Sequence, residues 1–243
     1  MNALQILARV MDRPTQAMIG AVERPRSWFL PALLLVLGLS IRAWFTAPYN
    51  IEIANERATQ MIERVTVDMP EESARLVRER AQEVTLSHYL LTRVGFGIIG
   101  LAMGWVVMGA LVHFSSMAAG GTSTWPSTYS ACVWAMLPFF VRDILMTIWT
   151  LASAKVPGHE GLSFLVQSGD WFQDTRSPSY AALGHMDPFA VWHIILLVIA
   201  IRASTRLSRG GSAFLALAVW AIFLGIKLIP VLISQTLGSR FAG

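Results

Sequence analysis

Six ionisable side chains stand inside stretches that are otherwise apolar: Arg42, Arg93, the consecutive pair Arg142 and Asp143, His193 and Lys227. A charge held in hydrocarbon is costly, so each needs a partner, a water-filled cavity or a route to the surface. Arg142 and Asp143 adjoin in sequence, so on a helix they point about 100° apart and do not face each other. Asp143 is therefore expected to reach another helix, with Arg42 or Lys227 as its candidate partner. Either pairing leaves positive charge in excess at one level. Three arrangements accommodate that excess. Long stems near helix ends can carry the charge outward, which suits Arg42 and Arg93. Acids of the loop after the first span can fold down onto the cluster. Or Arg42, Arg142, Asp143 and Lys227 together hold an anionic lipid headgroup or a small anion between helices. Pro138, one turn before Arg142, and Pro230, three residues after Lys227, each release a backbone carbonyl beside this level and can kink the helix there.

Other chemistry is poorly represented. Gly95-Phe96-Gly97-Ile98-Ile99-Gly100 spells the dinucleotide pattern GxGxxG, but it follows no strand and has no acid about 20 residues further on. Its physical reading is helix packing: Gly97, Gly100 and Gly104 let a neighbouring helix approach closely, and Gly100-xxx-Gly104 is a small-residue motif of membrane helices. The histidines His88, His113, His159, His185 and His193 form no i, i+4 pair with a second ligand, so no metal site is expected. No GxSxG elbow or phosphate loop occurs, and the single Cys132 has no basic neighbour in sequence. Neither a catalytic constellation nor a cofactor is expected.

These residues belong to a chain of 243 residues that is 54% hydrophobic and only 14% charged. Soluble domains carry about 25% charged residues, and here the charges gather into a few blocks. The mean hydropathy of +0.53 agrees. That composition excludes a disordered chain, a collagen and a disulfide-stapled module. The pI near 9.7 is not a nucleic-acid signal, because the basic residues are scattered over loops and helix ends with no basic face. A bilayer span needs about 20 mostly apolar residues. Five stretches qualify: about 27–47, 88–114, 127–152, 188–204 and 211–237. None alternates with the period of a barrel strand, so the expected fold is an all-α, polytopic membrane bundle. The first run is too long for a cleaved signal peptide and is expected to remain as a span.

Outside the spans, residues 1–26 form an N-terminal segment. Within it Leu4, Leu7, Ala8 and Met11 share one helical face, which fits a short interfacial helix. Residues 51–86 read as an amphipathic helical hairpin. Ala54, Ala58, Met61, Ile62 and Val65 precede a break at Asp68-Met69-Pro70, and Ala74, Val77, Ala81 and Val84 follow it. The hairpin stripes either face each other or dock on a partner. The loop 153–187 is a cap or a partner surface, and its Trp171-Phe172 pair suits the headgroup level. Arg9, Arg13, Arg24 and Arg26 share one side with Arg202, Arg206 and Arg209, and the five arginines of the 48–87 loop sit among eight acids. The N-terminus is therefore placed in the cytoplasm.

The layout resembles the Yip family (Ypt-interacting proteins), in its bacterial branch. The resemblance rests on Glu23-Arg24-Pro25-Arg26-Ser27-Trp28-Phe29 entering the first span, and on Leu111-Val112-His113-Phe114 followed by Gly120-Gly121. Ala135-Met136-Leu137-Pro138 and Asp187-Pro188-Phe189-Ala190-Val191-Trp192 extend it. It implies a five-span, non-enzymatic resident of the bacterial cytoplasmic membrane. Eukaryotic members contact small GTPases, but their aspartate-leucine-tyrosine-glycine-proline type element is absent and the cytosolic N-terminal domain is nearly missing, which argues against a GTPase partner. The expected role is a scaffold, assembly factor or accessory subunit that meets a protein partner or a second copy in the bilayer. Lipid or anion handling by the basic cluster is the alternative.

Overall fold

The computed structural model describes residues 1–235, and no strand occurs among them. Five helical stretches are long and apolar enough to cross a membrane: Pro25–Thr66, Leu86–Ala118, Trp125–Ser153, Pro188–Thr205 and Arg209–Gln235. The protein is a polytopic helical bundle.

Helix α1 (Ala3–Asp12) opens on a reciprocal cap, in which Asn2 Oδ1 accepts from the Gln5 N–H at 2.9 Å and Gln5 Oε1 accepts from the Asn2 N–H at 2.8 Å. Helix α2 (Pro14–Glu23) restarts at Pro14, whose missing N–H costs nothing in a first turn. The two helices do not merely lie beside the bundle. Ile6, Val10, Ala17, Met18 and Ala21 are buried in the main core with Trp134, Leu196, Leu197, Ala200 and Ile201. The buried face of α1 is thus Ile6 and Val10, while Leu4, Ala8 and Met11 of the expected apolar face stay exposed. Helix α1 is apolar on two faces, one for protein and one left open.

Helix α3 (Phe29–Thr66) is continuous for 38 residues, about 57 Å, and so projects well beyond a hydrocarbon core of about 30 Å. The expected separate helix beginning near residue 51 is the outer part of this one. Pro48 lies inside α3 without ending it. Polar side chains crowd the same turns: Thr46 Oγ1 donates to Arg42 O at 2.7 Å and Asn50 Nδ2 to Thr46 O at 2.9 Å. Helix α4 (Glu71–Arg80) folds back along it, with Glu71 and Glu72 in the first turn and Arg78 and Arg80 in the last, as the helix dipole favours. Of the expected stripe on this arm, Ala74 is buried and Val77 exposed, while Ala81 and Val84 lie beyond the helix. The returning chain is tied to α3 by Asn55 Oδ1, which accepts from the Val84 N–H at 2.8 Å.

The second span comprises α5 (Leu86–Leu90), a π-helical turn at Leu91–Phe96 and α6 (Gly97–Ala118). The third is broken into α7 (Trp125–Ala135) and α8 (Leu137–Ser153). Pro138 explains the break, since it has no N–H for a helical bond and crowds the carbonyl four residues back. The chain tightens there, with Met136 N donating to Val133 O at 3.1 Å and Phe139 N to Met136 O at 3.0 Å. After α8 the loop carries α9 (Trp171–Asp174) and α10 (Pro178–Gly184) before α11 (Pro188–Thr205) and α12 (Arg209–Arg240). Helices α8 and α11 both end on a left-handed residue that is not glycine, Ala154 at φ 52° and Arg206 at φ 59°.

Helices α3 and α8 approach closely because α3 has no side chain at Gly38, where a Cβ would lie 2.8 Å from Phe140 Cδ2. Gly38→Val is therefore expected to lower stability by about 1–3 kcal/mol through overpacking. Gly225→Val on α12, where a Cβ meets nothing within 4 Å, should leave it unchanged. Thermal unfolding in mild detergent compares the two, and equal losses would show that the α3–α8 approach is not tight.

Candidate functional site

A polar layer lies where α3, α8 and α11 meet the 154–187 loop. Its centre is Arg42 on α3, whose Nη1 donates to Asp143 Oδ1 of α8 at 3.0 Å. Both side chains are mostly withdrawn from solvent, at 23% and 12% exposure. Arg42 Nη2 also lies 3.5 Å from Glu160 Oε1 in the loop. Arg142, on the adjacent face of α8, turns the other way and donates to Asp187 Oδ2 at 3.4 Å. Asp187 Oδ1 meanwhile accepts from the Ala190 N–H at 2.6 Å, so this one carboxylate caps α11 and meets Arg142.

Behind the layer, the carbonyl released at the α7–α8 break is put to use. Ala135 O lies 2.8 Å from His193 Nδ1 on buried α11. A carbonyl only accepts, so Nδ1 carries the proton. The His193 ring packs 5.0 Å from Phe139, over which the Arg142 guanidinium sits at 5.0 Å from the ring centre. One break in the third span thereby orders the neighbours of Arg142. On the far side of the core, Trp134 Nε1 donates to Ser27 Oγ at 3.0 Å and fixes the entry of α3.

Of the expected cluster, Arg42 and Asp143 meet directly. Arg142 is 4.0 Å from Asp143 through Nε, beyond a hydrogen bond, and that buried Nε has no acceptor. Lys227 is exposed and has no ion pair or hydrogen bond among the described residues. Its charge is nonetheless within reach of Arg142, Glu160 and Asp187. The partner acids come from the loop after α8, not from the hairpin 51–86. His185, at the end of α10, faces the same group. Burial, then Lys227 and Arg142, push its pKa below the ordinary histidine value against the opposing pull of Glu160 and Asp187. Arg93 sits exposed on the π-helical turn, away from these pairs.

Glu160 and His185 have no special standing in the sequence, and Asp187 stands there only as the first residue of the segment that opens α11. Asp187 could be read as a helix cap from Asp187-Pro188, but its second contact depends on how α8 and α11 cross. The aromatic pair of the loop also docks on protein. Trp171 Nε1 donates to Gln60 Oε1 at 2.7 Å, and Arg57 lies over its ring at 5.4 Å. Arg64 makes two hydrogen bonds to Asp170, at 3.0 and 3.2 Å, which hold that carboxyl below its usual pKa. The outer part of α3 and the loop thus form one extramembrane cap.

The glycines of α6 have different surroundings. A Cβ at Gly97 would fall 2.7 Å from Leu39 of α3, and one at Gly104 would touch Phe223 of α12 at 3.9 Å. At Gly100 nothing lies within 4 Å. No group of three or more metal-ligating side chains occurs among the described residues.

Residues 8–228 match the Yip1 domain. The chain belongs to the Yip1 family. The match spans everything from α1 into α12, so the polar layer and the cap lie inside the Yip1 domain. No curated protein and no solved structure matches the chain.

The Arg42–Asp143 pair joins two spans, so removing one partner leaves the other charged in a poorly hydrated place. In a double-mutant cycle of Arg42→Gln and Asp143→Asn, a coupling of about 1–3 kcal/mol is expected, partly screened at the exposed side. Unfolding in detergent measures it. Strictly additive losses would show that the pair adds nothing beyond its members.

Proposed function

We propose that this Yip1-family protein is a non-enzymatic membrane scaffold or accessory subunit, and that α6 receives a helix of a partner or of a second copy. The observation that carries this reading is the uneven packing of the bundle. In its most apolar window the third span is 50% buried within the chain, but the second is 17% and the fifth 11%. Lipid can cover such faces, yet Gly100 adds a notch where another backbone could come close. The pairing of Arg42 and Arg142 with loop carboxylates favours a structural role for the cluster over a site emptied and filled by anions.

Gly100→Leu separates assembly from folding, because the site has room for the added side chain in the isolated chain. The variant is expected to unfold like the parent protein while losing co-purifying subunits or self-crosslinking in native membranes. Unchanged association with both would sink the α6 docking reading.

We further infer a bacterial cytoplasmic membrane with the N-terminus inside, supported by the arginines of the N-terminal segment and the 202–209 turn. Alkaline phosphatase fused after Gly158 should then be active, and fused after Gly121 inactive. The reverse pattern would invert the topology.

A further inference from the structure

The loop after α8 turns its Trp171-Phe172 pair onto α3 and leaves a second apolar group uncovered. Leu162, Phe164, Leu165 and Val166 are all exposed, Leu165 at 63%, around the short 3-10 turn Ser163–Val166. The stretch from Gly161 to Gly169 holds no charge, although Glu160 and Asp170 flank it. Its base is seated tightly on α10. A Cβ at Gly161, where φ is +54°, would fall 2.7 Å from the carbonyl oxygens of Leu183, Gly184 and Met186, so glycine alone lets the chain come this close. The Leu162 N–H donates to Leu183 O at 2.9 Å. Ser163 is fully buried, and its N–H and hydroxyl donate to Glu160 O at 3.2 and 2.7 Å. The Leu165 N–H closes the turn on Leu162 O at 3.1 Å.

The level of this tip follows from α12. The apolar run 213–233, broken only by Lys227, is about 30 Å long, the thickness of the hydrocarbon layer. Ser234 and Gln235 therefore stand where α12 leaves the hydrocarbon. Val166 and Arg176 line one hollow of about 480 Å³ together with Ser234 and Gln235, so the tip lies beside that edge. Arg176 is exposed there, with its guanidinium 3.8 Å from the centre of the Phe172 ring and no ion pair among the described residues. A phosphate is the acceptor such a guanidinium suits. Asp174 lines the same hollow but is buried, and it accepts the Ser168 N–H at 2.7 Å within the loop.

We propose that residues 162–166 dip into the leaflet on the loop's side, with Phe164 and Leu165 in the upper hydrocarbon and Arg176 at the phosphates of the lipids there. Insertion of this tip buries no charge. The N–H groups of Leu162, Ser163 and Leu165 already have backbone acceptors, as hydrocarbon demands. Lipid also meets α12 at this edge, where Leu232 and Ile233 are exposed. The loop is then held at two places, on α3 through Arg64 and Asp170 and in the leaflet through its tip, so the extramembrane cap keeps a fixed height above the bilayer. This anchor is independent of the docking proposed at Gly100, and no variant in its test alters α6.

The test places an environment-sensitive fluorophore on Leu165→Cys in the full chain, reconstituted in vesicles of phosphatidylcholine and phosphatidylglycerol. Cys132 is buried and stays unlabelled. Lipids brominated high on the acyl chain should quench the label, as they do a group lying about 5–10 Å into the headgroup and acyl boundary. Aqueous iodide should quench it several-fold less than the same label at Ser73→Cys on α4, which is exposed. Adding Phe164→Asp should return the label at residue 165 to iodide and remove the lipid quenching. Both tip positions are exposed, so thermal unfolding in detergent should match that of the parent. The proposal is overturned if iodide reaches residue 165 as freely as residue 73, which puts the tip in water. It is overturned equally if neither quencher reaches the label, which puts the tip against a second copy, or if Phe164→Asp leaves the lipid quenching intact.

Discussion

An ionised side chain at membrane depth must be met by an opposite charge, and the contact between Arg42 and Asp143 answers that need for the Yip1 domain. Its consequence is architectural. The two residues belong to different spans, so their 3.0 Å contact sets the rotation of α3 against α8, and Gly38 opposite Phe140 sets how near the helices come. Once α8 is oriented, Arg142 on its adjacent face points toward α11, where Asp187 awaits it at the helix cap. Two consecutive residues that cannot face each other thereby tie one helix to two different neighbours.

The second constraint is the backbone of the third span. A straight helix would keep every carbonyl internally bonded and give His193 nothing to donate to. With Pro138 in place, the Phe139 N–H bonds to Met136 O, and Ala135 O turns to the His193 ring. The break therefore supplies an inter-helix hydrogen bond and positions Phe139 under Arg142. It costs some local helix regularity, offset by packing around the fully buried Trp134 and Val133.

The spans and the all-helical fold were legible because a bilayer imposes a minimum length of apolar residues, and composition alone reveals such runs. That Asp143 must look to another helix was also within reach, from its adjacency to Arg142, but the choice between Arg42 and Lys227 was not. Other contacts were hidden for a physical reason. Glu160 and His185 lie in a loop whose path is decided by Arg64, Asp170 and Trp171 closing on α3, and no local pattern encodes such long-range contacts. The continuity of α3 through Pro48 was equally obscure, because proline usually ends a helix and only the polar turns around Thr46 and Asn50 show how this one persists. On α1, Leu4 and Met11 were read as the face of an interfacial helix and stay exposed, while the second face of Ile6 and Val10 went unread, because period alone cannot rank two apolar faces on one short helix.

These constraints divide the bundle unequally. Helices α3, α7, α8 and α11, with α1 and α2 beneath them, hold the paired charges and most of the buried core, whereas α6 and α12 lie against that block with most of their surface uncovered. Packing cannot hold a span that touches so little protein as firmly as the central ones, so the lipid or a partner contributes more to where α6 and α12 rest. Two features with unmet capacity lie on these two helices: the notch at Gly100 and Lys227, which has no ion pair among the described residues. One half of the bundle thus pairs most of its own charges, and the other leaves apolar surface and one cation to be covered from outside. Occupancy of α6 or α12 would then stabilise the bundle by covering surface that its own helices leave open.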